Sequence, residues 1–295
     1  MTPRPVAGRG GNRSGRGSRP CISAIAAVMI ACGLSGCWTS ASAGTAFPPG
    51  PVAVAIKPDQ PGFAYGLGQS YPEGFEVSLA YAIAGTLGIH VVFTPTTSAQ
   101  RDGLIRNHLA DMVIATYSIT GPRRKFEDFA GPYLKTTQAL LVLRDNNHFK
   151  SQASVSKQHI CTVAGTTPSQ YRLPGASVTQ DSLYSHCVSG LLDHKFAAVF
   201  TDTLILYGYE RAHQGQVKVV LAGKVGLNQY YGVAVPLHHH ALCEKVDQAI
   251  GQFINNKWGT DFTNDFPDAV AAYPSSWQSV FGVTPADIAA QSCQS

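Results

Sequence analysis

The chain has 295 residues, of which 44% are hydrophobic and 14% charged, so it can bury a sizeable core. Its formal charge of +4 is local, because residues 1–20 carry five arginines and no acid, and the balance without residues 1–36 is −1. A remainder with so little net charge argues against nucleic acid as the partner. The apolar run "CISAIAAVMIACGLSG" follows the arginines, which is the pattern of an export signal. Its 16 residues fall short of the roughly 20 that a membrane-spanning helix needs.

The run ends in Leu34-Ser35-Gly36-Cys37, which resembles the lipobox of bacterial lipoproteins. That resemblance implies that the Cys37 thiol takes a diacylglyceryl group and tethers the chain to the outer face of the cell membrane. The alternative is ordinary cleavage near "ASA". Residues 37–50 are small, polar and rich in Pro and Gly, as in a flexible tether.

From Pro51 the chain alternates strand and helix. "VAVAIK" reads as a strand, "GFEVSLAYAIAGTLG" as a helix and "HVVFTPT" as a strand. "AQRDGLIRNHLA" then reads as a helix and "DMVIATYSI" as a strand. A second series runs through "HICTVAG", "TPSQYRL", "ASVTQ", "SLYSHCVSGLLDH", "AAVFTD" and "TLILYGYERA". Such alternation predicts α/β lobes built on mostly parallel sheets. Between the series lies "TQALLVLRD" and after the second lies "QYYGVAVPL", two extended segments suited to a two-strand hinge. The expected organisation is one lobe from residues 51–135 and 232–272, a second from 136–231, and a tail over 273–295 containing a short helix.

Four cysteines remain beyond Cys37, and an exported chain can join them in three ways. Cys161 with Cys187 keeps one bridge inside a lobe, and Cys243 with Cys293 pins the tail to a late helix. The run His238-His239-His240 has no second ligand group spaced to join it and reads as a solvated loop, so no metal is expected.

In open parallel sheets ligands bind beyond the carboxyl ends of the strands. In "DMVIATYSIT" the hydroxyls Thr116, Ser118 and Thr120 share one strand face at that end. Thr120 can cap a following helix that Pro122 opens, which places Arg123 at its N-terminus. There an arginine opposes the helix dipole, and a bound carboxylate would relieve the cost. The competing reading is a surface arginine pairing with Glu127.

"DMVIATYSITGPRRKFEDFAGPY" resembles the signature of the polar amino-acid binding proteins of ABC importers. The resemblance extends through "VAGTTPSQY", "AAVFTDTLILYGY" and "YYGVAVPL", over about residues 51–268. It implies a two-lobed periplasmic-binding-protein type 2 fold that closes over one amino acid, needs no cofactor and works as a monomer. Arg123, helped by Ser118 and the backbone near Thr116, would grip the α-carboxylate. Asp202 would take the α-ammonium, and Thr166 and Thr167 would add hydrogen bonds from the second lobe.

"TTSAQRDGL" and "AIKPDQPGF" resemble the glutamate branch, which places Arg101 and Lys57 near the ligand's distal carboxylate. Against these roles stand plainer ones: Arg101 paired with Asp102 or Asp111, Asp202 as a helix cap, and Thr166 and Thr167 as turn formers. The implied partner is an ABC permease, or else a membrane sensor that reads the same closure. The fold also hosts dehydratases and cell-wall lyases, but the expected pocket offers no acid or base free for catalysis.

Overall fold

The computed structural model describes residues 47–66 and 72–294. The expected export signal and the lipidation site at Cys37 lie outside the described residues. β1 (Val52–Ile56) is followed by α1 (Phe75–Leu87), β2 (Val91–Pro95), α2 (Arg101–Leu104) and β3 (Met112–Val113). β1 pairs in parallel with both β2 and β3. Covered on both faces, it is apolar throughout. In α1 the residues Phe75, Leu79 and Ile83 recur every fourth position and are buried. The helix ends at Gly88, whose left-handed backbone lets its N–H reach the Ala84 carbonyl.

A 3-10 turn at Arg123–Lys125 leads into β4 (Glu127–Leu143), which leaves the first lobe for the second. There follow β5 (His159–Val163), α3 (Thr167–Gln170), β6 (Ser177–Asp181), α4 (Tyr184–Leu192), β7 (Ala198–Asp202) and α5 (Thr203–Ala212). β5 lies between β6 and β7 and parallel to both. β8 (Val217–Pro236) then returns, antiparallel to β4 along its length, from Leu143 opposite Val217 to Glu127 opposite Pro236. The strand order is β2-β1-β3-β8-β4-β7-β5-β6. The long β4–β8 pair therefore carries a parallel unit at each end. Its register breaks between Ala130 and Leu134 and again on either side of Gln138, where the chain passes from one unit to the other.

α6 (His240–Asn256) packs Val246, Ala249, Ile250 and Phe253 against the first lobe. Phe75 there meets Phe253, Trp258 and Phe262 edge-on. α7 (Trp258–Asp265), α8 (Pro267–Ala272), α9 (Trp277–Phe281) and α10 (Pro285–Gln291) complete the chain. The tail thus holds two helices after residue 273 where one was expected. Trp277 stacks on Trp258, and a Cys243–Cys293 bridge ties the end of the tail to α6. A second bridge, Cys161–Cys187, joins β5 to α4.

Two expected elements are much shorter than their sequence suggests. The helix over residues 99–110 is limited to Arg101–Leu104, after which turns take over and His108 adopts a positive φ of 54°. The strand over residues 111–119 stops at Val113. Thr116 lies in the left-handed region at φ 46°, held there because its N–H donates to the buried Glu76 carboxylate at 2.6 Å. The three hydroxyls therefore do not share a strand face.

Candidate functional site

The segments at the carboxyl ends of β1, β2, β3, β5, β6 and β7 converge on one small, tightly closed cavity. Arg101, Thr116, Ser118, Thr166, Thr167 and Asp202 line it, together with Gln60, Ser98, Tyr184 and Ile205. Six of the eight expected binding residues thus meet around one space. Arg123 lines a second cavity with Asp102, Thr120 and Thr167. It is joined to the first through Ser118 and Gly165, whose carbonyls accept from its Nη1 at 2.8 Å and its Nη2 at 3.0 Å.

Arg123 is 6% exposed, and its Nε lies 3.3 Å from Asp102 Oδ1. The competing reading, a surface arginine paired with Glu127, does not describe this arrangement. The helix expected after Thr120 is a three-residue 3-10 turn with no side-chain cap, so no helix dipole acts on Arg123. Thr120 Oγ1 stands 3.4 Å from the Arg123 N–H. Tyr117 lies beneath both guanidiniums, with its ring centre 4.4 Å from Arg123 and 4.9 Å from Arg101. The Tyr117 hydroxyl stands between Asp102 and Glu127, and burial raises the Glu127 carboxyl to about 7.

Arg101 is 2% exposed and has no carboxylate within ion-pair distance among the described residues. Neither Asp102 nor Asp111 pairs with it; Asp111 instead accepts from the Ala53 N–H. Its acceptors are backbone carbonyls: Ser98 for Nε, Ala115 and Thr116 for Nη1, and Gly165 for Nη2. Four of its five N–H groups are thereby engaged. Asp202, Glu76 and Glu127 act on this cation only at a distance, and an anion placed in contact with it recovers part of its desolvation cost.

Asp202 is 3% exposed and does not cap α5 with its side chain. Its Oδ2 accepts from the Tyr231 hydroxyl at 2.5 Å and its Oδ1 from Gln138 Nε2 at 3.3 Å. Burial raises its carboxyl to about 6, opposed by those two hydrogen bonds and by the charges of Arg101 and Arg123. Thr166 caps α3 by accepting from Ser169 N at 3.2 Å and donates to the Val163 carbonyl. Its hydroxyl shapes the turn while the residue still lines the cavity. Thr167 donates to Gln229 Oε1 at 2.9 Å.

Lys57 does not line the cavity. It is fully buried, paired with Asp59 and 5.0 Å from the Tyr184 ring centre, and burial lowers its ammonium below the usual lysine range. Asp59 in turn accepts from the Tyr184 N–H at 3.0 Å, which ties the loop after β1 to the start of α4. Of the His238-His239-His240 run, the His240 side chain is 55% exposed and stands 3.3 Å from Glu244. Among the described residues no His, Cys, Asp or Glu cluster is arranged to hold a metal.

Sequence reasoning did not single out Gln60, Tyr184 or Ile205. Gln60 lies three residues beyond Lys57 on the same strand end, a usable signal. Nothing local marks Tyr184. Tyr231 emerges as a support for Asp202, while Tyr230 donates to Asp287 of the tail at 2.8 Å.

Gly165 brings the lobes together. Its φ is +75°, and a Cβ there would lie 2.6 Å from Ala99 Cα, which only glycine avoids. Gly165→Ala should therefore oppose this approach and weaken ligand binding about tenfold or more by titration. Unchanged affinity would show that the contact is dispensable.

The family model of bacterial extracellular solute-binding proteins, family 3, matches residues 52–263. The chain is 33% identical over 235 residues to the glutamate-binding protein GluB of Corynebacterium efficiens, spanning 74% of this chain and 80% of that one. It is 31% identical to the ABC transporter glutamine-binding protein GlnH of Bacillus subtilis, over 60% of this chain and 66% of that one. Among solved structures it is similar to an ancestral arginine-binding protein bound to glutamine, with a TM-score of 0.68 and 26% identity over 75% of this chain and 99% of that one. With its two-lobed fold and a match across most of its length, the chain belongs to the bacterial extracellular solute-binding proteins, family 3.

Proposed function

We propose that the protein captures an acidic amino acid, glutamate or aspartate, between its lobes and delivers it to a membrane ABC permease driven by a separate ATPase. The observation that carries this reading is Arg101, a buried cation at the cavity wall whose hydrogen bonds among the described residues all go to backbone carbonyls. A distal carboxylate supplies a counter-charge in direct contact; a neutral side chain does not. In this reading Arg123, with Ser118 and Thr116, holds the α-carboxylate, and Asp202 takes the α-ammonium. Thr166 and Thr167 complete the cage from the second lobe. Lys57 acts at one remove by holding Asp59.

The lobes are residues 51–135 with 232–272, and 136–231, moving about β4 and β8. Ligand that contacts both shifts the equilibrium toward closure. Export and a lipid on Cys37 place the protein at the outer face of the membrane, and Cys37→Ala should release it into the soluble fraction. Glutamate uptake unchanged by deletion of the gene would favour the sensor reading over the importer.

The pH dependence of binding tests the ammonium site. A proton and the ligand ammonium compete for the Asp202 carboxylate, whose value is about 6. Glutamate affinity should therefore be full above pH 6 and fall by up to about tenfold per pH unit below it. Glu76 and Glu127, both near 7, titrate in the variant as well. Asp202→Asn should bind more weakly and lose the acid slope; an unchanged slope would remove Asp202 from this role.

A further inference from the structure

We infer that Gln60 is a specificity-determining residue whose side-chain amide donates to the distal carboxylate of the ligand, beside Arg101. This rests on the acidic amino-acid reading above and extends it to a residue outside the arginine and aspartate set.

Gln60 is 1% exposed and lines the cavity. Its backbone is fixed by a tight turn in which its carbonyl accepts from Phe63 N at 3.0 Å and Ala64 N at 3.1 Å. Thr116 Oγ1 lies 2.9 Å from its Oε1 and 2.8 Å from the Ala115 carbonyl; with the hydroxyl proton given to Oε1, Nε2 has no partner among the described residues. A buried amide nitrogen with no acceptor costs desolvation free energy that a ligand oxygen can recover. The Ser98 hydroxyl, on the same cavity, also has no partner among the described residues.

The position of Gln60 follows from Thr116. That residue bonds Gln60 through its hydroxyl and accepts from Arg101 Nη1 at 3.0 Å through its carbonyl. Gln60 and Arg101 therefore meet through Thr116 on the wall of the cavity. Arg101 spends four N–H groups on backbone carbonyls and keeps one. One N–H cannot hold a carboxylate by the usual two parallel bonds. The second carboxylate oxygen needs another donor, and the Gln60 amide supplies it.

Titration of the full-length protein and of its Gln60→Leu and Gln60→Glu variants with glutamate, aspartate and glutamine tests this. Gln60→Leu should weaken the preferred acidic ligand about 10- to 100-fold and glutamine by less, since a hydrogen bond to a charged acceptor is the stronger one. Gln60→Glu should weaken the acidic ligand further, by like-charge repulsion, with melting temperatures of both variants near that of the wild type. Acidic-ligand affinity in Gln60→Leu equal to or tighter than wild type would overturn the assignment, and would follow if the amide presented its carbonyl oxygen. A wild-type protein that binds neither glutamate nor aspartate would overturn the reading beneath it, and the assignment with it.

Discussion

Arg123→Ala should weaken glutamate, aspartate, glutamine and asparagine alike, by roughly 100- to 1,000-fold, because in the proposed reading it removes the group that holds the α-carboxylate all four share. Truncating one partner of a buried charge pair costs on the order of 2–5 kcal/mol. Arg123 is set for such a role: it is 6% exposed, its Nη groups bridge the Ser118 and Gly165 carbonyls, and its Nε is steadied by Asp102. The fold should tolerate the loss. Asp102 is half exposed and can be hydrated, while Glu127, already raised to about 7, can take a proton. Titration of the four ligands, with a melting curve to verify folding, would read the effect. Retained affinity for any of them would exclude Arg123 as the common anchor.

Arg101→Ala should separate the same four ligands. The acidic pair should lose about 100-fold or more, whereas the amides, which bring no charge to compensate, should lose about fivefold or less. Arg101 also supports the carbonyls of Ala115, Thr116 and Gly165, so some loss is common to every ligand. The ratio of acid to amide affinity is therefore the informative quantity. Equal losses for all four would mean that Arg101 only braces the loops.

The α/β alternation is legible because most strands of the parallel units open as short apolar runs, as "VAVAI" does throughout and "AVFTD" does in its first half, while the exposed β6, "SVTQD", is the exception. The region around Thr116 is not. Its hydroxyls alternate as in a strand, but the backbone conformation is set by Glu76, forty residues earlier in the chain and on another element. No local pattern encodes a partner at that distance. Arg101 shows the same limit. Its neighbours Asp102 and Asp111 suggested a surface ion pair, yet its real acceptors come from residues 98, 115, 116 and 165.

Lys57 is an instructive case in the other direction. Its partner Asp59 stands two residues away and was visible in "KPD", but that both side chains leave solvent together, with Lys57 fully buried, depends on α4 packing over them. In the tail, the Thr284 capping box that starts α10 is a readable signal. The docking of that helix on the hinge strands, through Asp287 to Tyr230 and Lys135, is not.

Binding depends on one question: does Arg101, with no carboxylate in contact with it among the described residues, select an acidic ligand? Calorimetric titration of the wild-type protein with glutamate, aspartate, glutamine and asparagine at pH 7 answers it. At least one of the two acids should bind tenfold or more tighter than its own amide, a difference of about 1.4 kcal/mol. Both amides binding as tightly as their acids, or more tightly, would contradict the assignment of Arg101 as the counter-charge for the ligand's side chain.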